Sequence, residues 1–134
     1  MPLTKDRNTQ RRDGVQFNDP VAASTRIFAG SLMCLNAAGF AVPGSLSATL
    51  KARGVAQEQV DNRDGAAGAL RIESRRGVFQ FANSAAADEI TRADIDNECF
   101  IVDDQTVAKT SATDTRSVAG IIRDVDAGGV WVEI

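Results

Sequence analysis

The side chains able to do chemistry in this chain of 134 residues are carboxylates, two thiols and scattered hydroxyls; it contains no histidine. That absence removes the usual general base of serine and cysteine nucleophiles and the commonest nitrogen ligand of a metal. Acidic residues stand close together at Asp88 and Glu89, Asp94 and Asp96, Asp103 and Asp104, and Asp124 and Asp126. A glycosidase uses two carboxyls, but they must face each other across the bond being cut. All four pairs here lie in turn-like stretches, where acids serve the backbone and solvent. Gly65-Ala66-Ala67-Gly68 lacks the lysine and the helix that complete a phosphate loop. Asp61, Asn62 and Asp64 do not have the spacing of a known calcium loop. Cys34 and Cys99 each sit within an apolar run, without a CxxC pair, and are expected to be buried thiols. The expectation is a protein that is not an enzyme and holds no cofactor or metal.

Composition narrows the partners. A formal net charge of -3 argues against general affinity for nucleic acid or anionic membranes, which need an excess of Lys and Arg. No apolar run approaches the ~20 residues of a membrane span, and the N-terminus is charged where a signal peptide would be apolar. The chain is therefore expected to be made in the cytoplasm. Its length suits one domain with a single modest core.

The elements that would position any functional residue are strands. Residues 1–25 carry Val15, Phe17 and Val21 as their main apolar side chains, too few for a core, and read as an extended N-terminal arm. Lys5, Arg7, Arg11 and Arg12 alternate with Asp6 and Asp13, a mixture suited to a polar protein surface rather than to a phosphate backbone. Val15 and Phe17 alternate with polar neighbours, as a strand added to a partner's sheet would. Residues 26–134 form the body. Ile27 to Leu35 reads as one strand with an early glycine, returned through Asn36-Ala37-Ala38-Gly39 to Phe40-Ala41-Val42. Further strands are expected at 51–56, 70–75, 78–81, 99–102, 106–109, 118–122 and 130–134. Ser45 to Leu50 reads as loop or a single helical turn, and the stretch 85–97 is the one place for a helix, with Thr91 and Asp94 spaced as a cap.

The two halves follow one plan: an apolar strand, a turn, a short strand, a polar gap, a small-residue strand around Gly54 or Gly120, and an alternating strand. Turn signals every eight to twelve residues in such a chain predict an all-β fold, a small barrel or sandwich with little helix. In the last strand Val130, Val132 and Ile134 share one face and Trp131 the other. Apolar groups on both faces exceed what one sheet face buries, which predicts that these four residues contact a second copy, as a homotrimer or a dimer; the opposing reading is a monomer whose barrel end Trp131 closes.

Taken together, Ile27-Phe28-Ala29-Gly30-Ser31-Leu32, Ala52-Arg53-Gly54-Val55-Ala56, Val60-Asp61-Asn62 with Gly65, and Arg76-Gly77-Val78-Phe79 form an ordered set of blocks. They continue in Cys99-Phe100-Ile101-Val102-Asp103-Asp104-Gln105-Thr106-Val107 and Gly129-Val130-Trp131-Val132-Glu133-Ile134. In the order of these blocks, and in the opening Lys5-Asp6-Arg7-Asn8-Thr9 with Arg11-Arg12, the chain resembles the capsid cement, or head decoration, proteins of tailed bacteriophages, especially those of Mu-like Pseudomonas siphophages. The resemblance spans most of the chain, but no single motif in it is chemically specific. It implies a β-barrel or β-tulip-like body with an extended arm, on the outside of a head assembled in the bacterial cytoplasm. It implies, too, that the protein clamps neighbouring major capsid protein subunits there and has no enzymatic residues. The alternatives are another small virion module, such as a tail component, and a small-barrel ligand-binding domain.

Overall fold

The computed structural model describes Met1–Ile134 and is all-β; its only helix is two 3-10 turns, Ala86–Asp88 and Arg92–Asp94. The first half contains β1 (Gln16–Pro20), β2 (Thr25–Ile27), β3 (Leu32–Leu35), β4 (Ala41–Pro43), β5 (Lys51–Ala56), β6 (Val60–Asn62) and β7 (Arg71–Arg75). The second contains β8 (Val78–Phe81), β9 (Glu98–Ile101), β10 (Val107–Ala108), β11 (Val118–Asp126) and β12 (Gly129–Glu133).

The repeated plan of the sequence is realised as two sheets of equivalent topology. One has the order β1-β7-β5-β3-β4, the other β8-β12-β11-β9-β10, and all their ladders are antiparallel. The equivalence extends to single bonds. Arg76 N–H donates to the Val15 carbonyl as Ile134 N–H donates to Gly77, and Asn36 N–H donates to Phe40 as Val102 N–H donates to Thr106. Each sheet has a bulge at the same place: Met33 pairs with Gly54 but Cys34 with Ala52, and Cys99 pairs with Gly120 but Phe100 with Val118. The extra residue, Arg53 or Ala119, bends its strand and raises the local twist.

The glycine beside each bulge is required by a close backbone approach. A Cβ on Gly54 would lie 2.4 Å from the Arg75 carbonyl oxygen, and one on Gly120 would lie 2.2 Å from that of Glu133. So tight a crossing lets each sheet curl over its own apolar face. Leu32, Cys34 and Val55 of the first sheet join Ile101, Ile122, Val130 and Val132 of the second in one core. Met33, Ala56 and Ile72, on the other face of the first sheet, are covered by Ile27 of the separate β2–β6 pair.

Three expectations are corrected. The body is not a barrel: the sheets stay open and pack roughly as a sandwich. A single parallel bridge in each, Val21 to Ala41 and Ala82 to Thr106, is not the continuous ladder that closes a barrel. The arm does not run to residue 25, because β1 pairs with β7 over its whole length and Val21 is fully buried. Ile27 to Leu35 is not one strand: a turn with Ser31 N–H on the Phe28 carbonyl, and Gly30 at φ 84°, separates β2 from β3.

The glycine crossing is open to a direct test. Gly120→Ala is expected to lower unfolding free energy by about 1–3 kcal/mol or more, since backbone atoms cannot yield to the methyl group. Gly14→Ala, with nothing within 4 Å of the added carbon, is expected to leave the urea midpoint unchanged.

Candidate docking surface

The carboxylates singled out in the sequence do not converge. Asp94 closes a capping box with Thr91, taking its N–H at 2.8 Å, and has Lys109 Nζ at 3.6 Å. Asp88 accepts from Thr110 and Arg116. Asp124 pairs with Arg92, and Asp126 accepts the Trp131 indole N–H at 2.9 Å and the Gly128 N–H at 2.8 Å. Each holds a turn or joins two segments. These donors keep Asp94, Asp88 and Asp126 below the usual carboxylate range; the leading causes are the Thr91 N–H, the Thr110 hydroxyl and the Trp131 indole respectively. Asn62 of the calcium-like cluster is buried, its amide donating to the Ala22 and Ala66 carbonyls, while Asp61 is tied to Arg63. No group of three or more His, Cys, Asp or Glu is arranged to hold a metal ion.

Cys34 and Cys99 are both free thiols within the core, as expected, and burial pushes each up to about 12.

The arm itself is Met1 to Gly14. All fourteen residues are exposed, and none makes a backbone hydrogen bond to the body. Lys5, Arg7, Arg11 and Arg12 lie here, opposed by Asp6 and Asp13, so the arm carries +2. The remaining residues, eleven basic and sixteen acidic, carry -5. Val15 and Phe17, expected on a partner, belong to the body instead. Val15 leads into β1, and Phe17 lies under the Arg53 guanidinium, 3.9 Å from its ring centroid. Arg53, the bulged residue of β5, also grips Asp19 of β1 through two bonds of 2.8 and 3.0 Å. The bulge thus aims a cation across β7 to clamp the strand from which the arm leaves. In the sequence, the regular alternation at Val15 and Phe17 signalled the strand but not whose sheet it joins.

The C-terminal residues are placed differently from the expectation. Val130 and Val132 are fully buried in the chain's own core and Ile134 nearly so, which leaves them no surface for a second copy. Trp131 alone stays half-buried, pinned to Asp126. Of the six phenylalanines only Phe81 is buried; Phe17, Phe40, Phe79 and Phe100 are half-buried, and Phe28 is 48% exposed beneath Arg26. The aliphatic side chains fill the space instead.

Three outcomes follow. Carboxylates held below their unfolded values stabilise the fold above about pH 4, and this stability is lost as pH falls through their folded values, so the melting temperature should drop steeply below that point. Asp94→Ala should remove about 1 kcal/mol at neutral pH, read from a urea curve, by leaving the Thr91 N–H uncapped. A disulfide-exchange reagent should label neither cysteine until the protein is unfolded; rapid labelling of the native protein would contradict the burial. Comparison with protein-family models, curated protein sequences and solved structures found no match.

Proposed function

We propose that this protein is a structural component of a tailed-phage head, a cement protein that binds the outside of the shell and joins neighbouring major capsid protein subunits. The observation that carries the reading is the fully exposed, basic Met1 to Gly14 arm, anchored to an acidic body by a strand that Arg53 clamps. Together with the resemblance in the order of the sequence blocks, this is the anatomy of a tether. Extended, fourteen residues reach about 45–50 Å, enough to cross from one coat subunit to the next. Ordering them costs on the order of 1 kcal/mol per residue, so the arm gains its fixed path only on the partner. The +2 charge of the arm against -5 on the body favours an acidic groove for the one and keeps the other from wrapping nucleic acid. No catalytic step is assigned to the chain, and its place of work is the capsid exterior after assembly in the host cytoplasm.

Self-association belongs to the same reading, as a trimer or a dimer, because several arms on one body would add by avidity. Its contact must use surface other than Val130, Val132 and Ile134. The competing reading, a tail component, is separated by co-sedimentation with purified heads and purified tails.

Removing Met1 to Asp13 is expected to leave the melting curve of the body unchanged and to abolish co-sedimentation with expanded heads. Equal binding by the truncated and full chains would reduce the arm to a passive tail. Heads carrying the full protein are expected to keep their DNA to a higher temperature than bare heads, since a ligand of the assembled lattice stabilises it by mass action. Identical DNA release from both would remove the cement role.

A further inference from the structure

Of the four outer strands in the two sheets, three have guarded edges and one is bare. Backbone groups alternate between the neighbouring strand and the outside. In β1, Val15 and Val21 bond inward, to Arg76 and Leu70, so Gln16, Asn18 and Pro20 face out. There Arg71 occupies the Asn18 carbonyl at 2.8 Å, and Pro20 has no N–H to offer. In β4 the outward Ala41 carbonyl is taken by Ala22 N–H, and Pro43 again lacks a donor. In β10, Val107 N–H is already bonded to Ala82. Such devices are how sheet proteins prevent edge-to-edge pairing.

β8 has none of them. Ile134 N–H donates to Gly77, so the residues bonded to β12 are Gly77, Phe79 and Phe81, and the N–H and C=O of Val78 and Gln80 point outward. No backbone or side-chain partner inside the chain meets these four groups. The strand contains no proline and no charge, and Val78 is 46% exposed. Its topological counterpart β1 is guarded, so the bare edge is not imposed by the fold.

We infer that β8 pairs with β8 of a second copy of this chain, antiparallel and about a two-fold axis through Phe79. The register is self-complementary: Val78 of each copy meets Gln80 of the other, forming four backbone hydrogen bonds and continuing the two sheets as one of ten strands. The exposed Val78 side chains then pack beside the partner's Gln80 rather than in water. A contact in which the same patch serves both copies closes a pair and stops there, so it yields a dimer and not a trimer. It does not depend on the capsid role. Where copies are concentrated on a surface, so small an interface becomes effective, and in dilute solution it dissociates.

The test uses the full chain. Sedimentation equilibrium should show a concentration-dependent dimer, and Val78→Lys should raise its dissociation constant by at least about tenfold, because two like charges then face the same small contact. Val118→Lys, at a valine on β11 that is 40% exposed, should leave association unchanged. Amide exchange gives a second reading that does not need a variant. The Val78 and Gln80 amides should be slow in concentrated protein and fast on dilution, while Phe79 and Phe81 stay slow in both. A chain that remains monomeric at millimolar concentration, a dimer indifferent to Val78→Lys, a dimer lost on deleting Met1 to Asp13, or fast Val78 and Gln80 exchange in the dimer would each overturn the inference.

Discussion

The close crossing of β5 by the end of β7, and of β11 by the end of β12, is the constraint on which the rest of the molecule depends. A carbonyl oxygen sits where a side chain would begin, so only glycine serves at positions 54 and 120. The bulge just before each glycine supplies the extra twist that brings the carbonyl in. Without that curl, five short strands would make a flat sheet with two exposed faces, which is not stable for so small a body. With it, each sheet wraps its own apolar face, and the shared core of Leu32, Cys34, Ile101, Ile122 and Val132 joins the two.

The same bulge is used differently in the two halves. In the second, its extra residue is Ala119, buried and small. In the first it is Arg53, long enough to reach over β7, stack on Phe17 and hold Asp19 with two charge-assisted bonds. Strand β1 is an outer strand with one neighbour, and this grip supplements that one ladder. A fixed base for the Met1 to Gly14 segment is the result. Charge divides along the chain: many acids of the body hold turns, a cap or an arginine, whereas Lys5, Arg7, Arg11 and Arg12 of the arm make no ion pair. Most of those surface pairs contribute little to stability individually. The capping box at Asp94 and the clamp at Asp19 differ because their carboxylates are buried and satisfied.

Sequence by itself determined the all-β class, the repeated plan, the thiol state of both cysteines and the capping pattern at Thr91 and Asp94. Each of these is local: period-two alternation, turn residues and short-range spacing act through a residue's immediate neighbours. The glycines at 54 and 120 were visible as the centres of matching strands, although their reason, a carbonyl some 13 to 21 residues away in the chain, was not. Only the tertiary structure decided where the arm ends, because Val15 and Phe17 alternate identically whether they join their own sheet or a partner's. It likewise decided that Val130, Val132 and Ile134 are core and not contact surface, since burial depends on what packs opposite. The open outline of the sheets and the bare edge of β8 were also beyond the sequence, for an edge is defined by the strand that fails to lie beside it, and nothing in the strand's own residues records that absence.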